Sequence, residues 1–274
     1  MTSNPPADPK SRMLAFDEEA GRKLEAIYLT GDAAARRQAL RGALHLQPGE
    51  YGLYIGSGPG LAPCEIAQAL GPAGRLAVVE KNAAMLAMTE RRAARDGLLD
   101  RLDLQEGDAA ALPFSNDTFA FVGSAQVFEY VPEVARAVWE VYRVLRPGGR
   151  LALINTDWQT LIWDTDDAHL GARVATAWEG HLAHNHLPRR LKPLLSRTGL
   201  QVDGVEPIVI LNTGYDPNAF SFTLLHIVAD YVRGTGQLSP GEVDAWVADV
   251  QHRGGEGSYF FSLNQYLFVA HKPG

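Results

Sequence analysis

Residues 51–60 read Tyr-Gly-Leu-Tyr-Ile-Gly-Ser-Gly-Pro-Gly, and the reading of this stretch decides the fold. Its first five residues form a short apolar run of strand type, and glycines follow at Gly56, Gly58 and Gly60. Residues 61–70 then have the composition of a helix. Strand, glycine loop and helix N-terminus in that order bring backbone N–H groups close to a ligand, because glycine has no Cβ to hold it off. The spacing narrows the choice. A dinucleotide fingerprint needs a third glycine three positions after the second, and Leu61 stands there. What remains is G-x-G-x-G.

Downstream of the loop, strand and helix patterns alternate for a hundred residues, the signature of a parallel sheet covered on both faces. Residues 75–80 (RLAVVE) predict a buried strand ending in a carboxylate. Asn82 is placed to cap the next helix, and Asp96-Gly97 to end it. Residues 102–106 predict a third strand, before Gly107-Asp108, and 118–123 a fourth. Val134, Val138, Val141 and Leu145 recur at helical spacing until Arg146-Pro-Gly-Gly149 stops the helix. Residues 151–155 then predict a fifth strand.

Upstream, Leu24, Ile27 and Tyr28 share a helical face, Gly31-Asp32 interrupts it, and residues 33–44 resume it. Two helices are therefore expected before the core, after a polar, proline-rich segment 1–12 expected to be disordered or loosely packed. Beyond Asn155 the rhythm changes. Residues 157–186, rich in Trp, Asp and His, are expected as an inserted helical element, with a helix over 187–198 ending at Gly199. Residues 202–211 predict a strand that Pro207 confines to an edge or a bend. Helices are expected over 219–231 and 240–251, and a long aromatic strand over 259–271.

Composition excludes several classes. The 274 residues suit one large domain or a core with an elaborate cap, and 46% hydrophobic with 21% charged content is ordinary for a soluble protein. A net charge of −7 argues against a general nucleic-acid surface. The single cysteine, Cys64, rules out an internal disulfide and a multi-cysteine zinc site. No apolar run approaches the ~20 residues that span a bilayer. MTSNPPADPKSR lacks the apolar core of a signal peptide. The expectation is a cytoplasmic protein with no membrane or nucleic-acid partner, monomeric or homodimeric. No G-x-S-x-G elbow and no G-K-[ST] phosphate loop is present, so neither a serine hydrolase nor a P-loop enzyme is supported.

Glycine loop, Glu80, Gly107-Asp108 and a proline-glycine turn occur in that order, and the ordered set resembles the class I S-adenosylmethionine (SAM) methyltransferases. Within them it is similar to the small-molecule branch of the ubiquinone-biosynthesis type. The stretches GDAAALPFSNDTFAFV (107–122) and LRPGGRL (145–151) carry most of the likeness; IYLTGDAAARR (27–37) and GSYFFSLNQYLFVAHKP (257–273) add to it. The resemblance implies an α/β, Rossmann-like, doubly wound fold: a seven-stranded, mostly parallel sheet with an antiparallel final strand, N-terminal helices and a helical lid. It divides the chain into a helical cap (1–46), a SAM-binding core (47–156), and lid insertions with C-terminal strands completing the same sheet (157–274).

It also implies roles. Gly56, Ser57 and Gly58 would cradle the methionine and ribose portions of SAM, and Glu80 would accept the ribose hydroxyls. Asp108 would bind the adenine amino group, the Ala109 N–H a ring nitrogen, and Lys81 and Met85 would flank the adenine. The backbone from Ser124 to Gln126 would face the methionine end, over which Tyr28, Arg36 and Arg37 would close. One position departs: Tyr54 stands where the family usually has Asp or Glu. Either it packs within the sheet, or the cofactor loses a charge-assisted hydrogen bond worth on the order of 1.5–3 kcal/mol.

Taken singly, Glu80 and Asp108 are ordinary turn residues and Met85 an ordinary core residue; their register with the loop is what makes them a site. His181, His184 and Asp157 are candidates for a catalytic base on position. A metal at His181, His184 and His186 lacks a further ligand tied to it, and Asp157, Asp164, Asp166 and Asp167 lack calcium-loop spacing, so no metal is expected. Trp158, Trp163, Trp178, Tyr215, Phe220 and Phe222 line either a pocket or simply the core. The function expected is methyl transfer from SAM to an oxygen, nitrogen or carbon nucleophile of a small organic molecule. The alternative is the same fold turned to cyclisation or rearrangement, or to SAM binding without catalysis.

Overall fold

The computed structural model describes residues 18–274, so the expectation for 1–12 and the start of the first helical segment lie outside the described residues. Two helices, α1 (Glu18–Leu29) and α2 (Gly31–Leu44), precede β1 (Tyr51–Ile55). Then come α3 (Leu61–Ala69), β2 (Arg75–Glu80), α4 (Ala83–Arg95), β3 (Leu102–Glu106), β4 (Phe119–Ala125), α5 (Val134–Val144) and β5 (Leu145–Trp163). The remainder is α6 (Ala168–Trp178), α7 (Pro188–Arg197), β6 (Gln201–Asn212), α8 (Phe220–Thr235), α9 (Pro240–Gly255) and β7 (Phe261–His271).

The strands form one sheet in the order β3-β2-β1-β4-β5-β7-β6. Leu53 pairs with Ala77 on one side and Val122 on the other, both parallel, while β7 runs antiparallel to β5 and β6. The chain winds outward from β1 to β3 and then returns to β4. Ligands of such sheets bind beyond the carboxyl ends of the strands at that reversal, and the glycine loop leaves β1 there.

Three apolar clusters hold the layers. On one face, Val134, Val138 and Val141 of α5 and Leu191 and Leu195 of α7 pack on Leu53, Val122 and Leu153. On the other, Leu40 and Leu44 of α2 and Ile66 of α3 pack on Val78, Phe121 and Ile154. A third cluster joins α6, α8 and α9 to the far ends of β5 and β7 through Trp178, Val228, Trp246 and Phe261. Among the described residues no helix is long and apolar enough to cross a membrane.

Two boundaries differ from the sequence reading. The fifth strand runs from Leu145 to Trp163 rather than over 151–155, because β7 supplies an antiparallel partner as far as Trp163↔Phe261, past an irregularity between Asp157 and Ile162. Residues 157–163 are therefore strand, and the inserted helix begins only at Ala168. At the other end the chain breaks at Thr30, whose Oγ1 caps α2 by accepting from Ala33 N at 3.3 Å; Gly31-Asp32 lie in the first turn. β6 forms the sheet edge, and Pro207 lies within it.

The C-terminus is fastened by Lys272. Its buried ammonium donates to Asp117 Oδ1 (2.6 Å) and to the carbonyls of Tyr142 (3.0 Å) and Leu145 (2.9 Å), and lies over the Tyr142 ring. Lys272→Met is expected to lower stability by about 2–4 kcal/mol in urea unfolding, since two carbonyls lose a charged donor. A loss under about 0.5 kcal/mol, the range of ordinary surface changes, would contradict this.

Candidate active site

The loop after β1 is shaped by its glycines. Gly56 has φ +80° and donates to Val79 O at 2.8 Å; a Cβ there would overlap Val127 Cγ2. Gly60, φ +86°, starts α3 so close to α4 that a Cβ would lie 2.7 Å from Thr89 Cα. Between them Gly58 N donates to Glu80 Oε2 at 3.2 Å, and the Ser57 hydroxyl reaches the same oxygen at 3.4 Å. Glu80 Oε1 accepts from Asn82 N at 2.9 Å, beside the Asn82 cap of α4 on Met85 N. One carboxylate thus braces both the loop from β1 and the turn after β2.

At the end of β3, Asp108 accepts from Ala110 N (2.9 Å) and from Lys81 Nζ (2.8 Å). Partial burial works against the charge, but the Lys81 bond and then the Ala110 N–H hold this carboxyl below its ordinary range. The Lys81–Asp108 pair is exposed, so it adds little to stability and yields readily to another partner. Ala109 is buried beside it, and Met85 is buried under α1, where a Cβ on Gly21 would come 2.9 Å from its Cε.

The methionine-end residues lie where β4 stops. Ser124 Oγ donates to Ile55 O at 2.8 Å, tying β4 to β1. Gln126 is a non-glycine residue in the left-handed region (φ +56°), a conformation costing roughly 1–2 kcal/mol. Its N–H donates to Ile154 O at 2.7 Å, its Nε2 to Thr156 Oγ1 at 2.9 Å, and its Oε1 accepts from Arg36 Nη1. Tyr28 covers the loop: a Cβ on Gly58 would lie 3.8 Å from its ring. Arg36, 1% exposed, lies over the Tyr28 ring with Nε and Nη2 buried and without a partner. Such a buried guanidinium calls for an anion. Arg37 is held by Glu65 at 3.0 Å and by the Tyr28 carbonyl.

Tyr54 packs among Leu40, Leu44 and Phe121, against Gly123, whose Cβ position lies 3.2 Å from the ring. Burial pushes its hydroxyl pKa up, with Tyr28 adding and Arg36 and Arg37 opposing, so the phenol is neutral. Of the two readings of this residue, the packed one matches its surroundings.

Asp157 lies in strand, its carboxylate engaged by Arg189 at 2.7 and 3.1 Å. His184 Nε2 donates to the carbonyls of Val131 (3.1 Å) and Pro132 (3.3 Å). His181 is fully buried and stacked on Trp178 with ring centres 3.6 Å apart, its Nδ1 donating to Trp178 O. Burial pushes its imidazole down to about 3, the Trp178 bond opposing, so it is neutral at working pH. Asp157 is thus held as an ion pair and His181 as a neutral, stacked ring, while His184 keeps its Nδ1 unengaged by these bonds. Trp158, Trp178 and His181 form one aromatic group, with Trp158 centred 5.5 Å from Trp178 and 5.0 Å from His181; Trp163 packs instead on Trp246 and Phe261.

The residue that sequence reasoning missed is Glu129. It sits four residues past β4 on a single 3-10 turn, fully buried, with its carboxylate accepting from Asn155 Nδ2 and from Thr156 N (3.3 Å). Burial raises its pKa to about 7, against the pull of those hydrogen bonds and of Arg36. The signal was available: a carboxylate flanked by Val127-Phe128 and Tyr130-Val131 has no polar face to offer water.

Comparison with known proteins agrees with this geometry. Residues 53–153 match the methyltransferase domain family. A segment of 104 residues, 38% of the chain, is 35% identical to a ubiquinone/menaquinone biosynthesis C-methyltransferase, UbiE, of Brucella abortus, covering 39% of that protein. Among solved structures, a methyltransferase-like protein of Bacillus halodurans superposes with a TM-score of 0.60 over 88% of this chain and 100% of that one, at 18% identity. The [4+2]-cyclase SpnF superposes at 0.56 over 88% and 81%, at 21% identity. The chain thus has the class I SAM methyltransferase fold, and its residues 53–153 are those that match the methyltransferase domain family. It spans 53% of one curated relative and 39% of others.

Proposed function

We propose that the chain transfers a methyl group from SAM to a small organic acceptor. The observation that carries this is Glu80: one carboxylate at the end of β2 holding the Gly58 N–H of a left-handed glycine loop, with Asp108 one strand further along the same sheet end. These residues fit SAM. Glu80 would take the ribose hydroxyls, Asp108 and Ala109 the adenine, and the loop of Gly56, Ser57 and Gly58 the portion between. Lys81 and Met85 would flank the base. Arg36, with two unpartnered nitrogens beside Tyr28 and Gln126, would meet the carboxylate of the methionine end.

The sulfonium supplies an already activated methyl, so the protein's part is alignment and exclusion of water. Tyr28 of α1 and Arg36 of α2 lie over the loop, and α8 packs on α1 behind them. There the acceptor would be enclosed. The curated relative's printed activity, methylation in quinone biosynthesis, supports an acceptor of small-molecule size.

Calorimetry with SAM tests the reading. Glu80→Ala is expected to weaken binding at least about 30-fold, through lost charge-assisted hydrogen bonds and a loosened loop. Absence of SAM binding to the unaltered chain at millimolar concentration would refute methyl transfer. The likeness to a cyclase keeps a non-methylating reaction as the second reading. SAM turnover to its demethylated product with an acceptor decides between them.

A further inference from the structure

We propose that Glu129 is the proton acceptor of the transfer, and that it serves a hydroxyl-bearing acceptor whose oxygen meets the unpartnered polar atoms of Trp158, Trp178 and His181. The inference rests on the methyl-transfer reading above and adds to it a base and an acceptor class.

Position comes first. Glu129 lies just past the end of β4, with Arg36 and Tyr28 near enough to bias its charge, and its neighbour Tyr130 has its ring 5.9 Å from that of His181. Its carboxylate is held by neutral donors, Asn155 Nδ2 and Thr156 N, both on β5. Its main-chain carbonyl accepts from Ala183 N (3.1 Å) and His184 N (3.0 Å), so the segment after α6 closes on this same residue. The groups facing it are Arg36 from α2, Tyr28 from α1, its neighbour Tyr130, and, from the segment after α6, His184 through its main chain. Asp157 is held by Arg189, and burial keeps His181 in the neutral form. A base that gives up its proton near the working pH is the efficient one, and burial places Glu129 at about 7.

The acceptor class follows from unpartnered atoms. Trp158 Nε1 and Trp178 Nε1 are buried donors without an acceptor, and His181 Nε2 is a buried lone pair without a donor. An ammonium brings only donors and would leave both indole N–H groups unmet. A hydroxyl or carbonyl oxygen accepts from them, and a hydroxyl also donates. The step balances. As the acceptor oxygen bonds to the methyl carbon, the carbon–sulfur bond breaks with its electron pair kept by sulfur, the hydroxyl proton passes to Glu129, and Glu129 releases it to water.

The test uses the full chain, SAM, a panel of hydroxylated aromatic rings and their amino counterparts. A hydroxylated ring should gain about 14 mass units, a methyl added less the hydrogen it replaces. Glu129→Gln should bind SAM within about threefold of the unaltered chain yet turn over at least about 100-fold more slowly, with Glu129→Asp partly rescued. Independently of turnover, the Glu129 carboxyl signal in a carbon-13 NMR titration should move near neutral pH. Three results would overturn the proposal: methylation of the amines alone, turnover by Glu129→Gln within about threefold of normal, or a carboxyl titrating in the ordinary acidic range. Failure to bind SAM overturns the methyl-transfer reading itself, whatever Glu129 does.

Discussion

Gly56→Ala is expected to abolish SAM binding and to lower stability by about 2–5 kcal/mol. Two costs combine: an L-residue held at φ +80°, roughly 1–2 kcal/mol, and a methyl driven into Val127, roughly 1–3 kcal/mol. Val127 cannot retreat freely, because Gln126 before it is fixed at both ends of its side chain and Phe128 after it is fully buried. Gly71 is the control. Its φ is +72°, but a Cβ there meets nothing within 4 Å, so Gly71→Ala carries the backbone cost alone. Urea unfolding of the two variants should differ by the clash, and calorimetry should show SAM binding lost only for Gly56→Ala. Equal stabilities would mean that the approach of Val127 is not rigid.

The second large effect concerns pH. Glu129 is expected to make the ligand-free protein less stable as pH rises, and Glu129→Gln to remove that dependence. In the unfolded chain this carboxyl gives up its proton near 4.5, whereas in the fold it holds it to about 7. Between those values the folded state binds more protons, so this contribution is complete below about 4.5 and is lost as pH rises through 7. The difference amounts to about 3 kcal/mol at 1.36 kcal/mol per unit. His181 works in the opposite direction: its folded value is depressed, so its contribution is present above its ordinary 6.5 and lost as pH falls toward 3. That effect is common to both proteins and cancels in the comparison. Denaturant midpoints at pH 4 and pH 8 should show Glu129→Gln gaining on the parent by about 3 kcal/mol at the higher pH. An unchanged gap would place Glu129 in contact with water.

The elements of the proposed SAM site were legible because each is encoded within a few consecutive residues. A strand, a glycine turn and a capped helix leave local signatures, and Gly56, Glu80 and Asp108 fall where the pattern put them, at one end of one sheet. β5 was read short because its second half is strand only by virtue of β7, a hundred residues away. Antiparallel extension of that kind is invisible to local pattern. Glu129 had a local hint in its apolar neighbours, but its full burial is completed by α1, α2 and the segment after α6, none of which adjoins it in sequence. His181 and Asp157 were noticed for their chemical type, but their surroundings, an indole stack and Arg189, decide what they can do.

The packing of α1 bears on how the chain assembles during synthesis. Ile27 and Tyr28 belong to the cluster built on α8 and α9, and Glu25 pairs with Arg92 of α4. The helix is therefore translated early, yet much of the surface it needs is translated only after residue 220. A growing chain can complete the β1–β4 layers well before α1 has a finished place to dock. Though it precedes the core in the chain, α1 would lock last, and a ribosome-bound chain stalled before α8 should leave it open to protease while the core is already resistant.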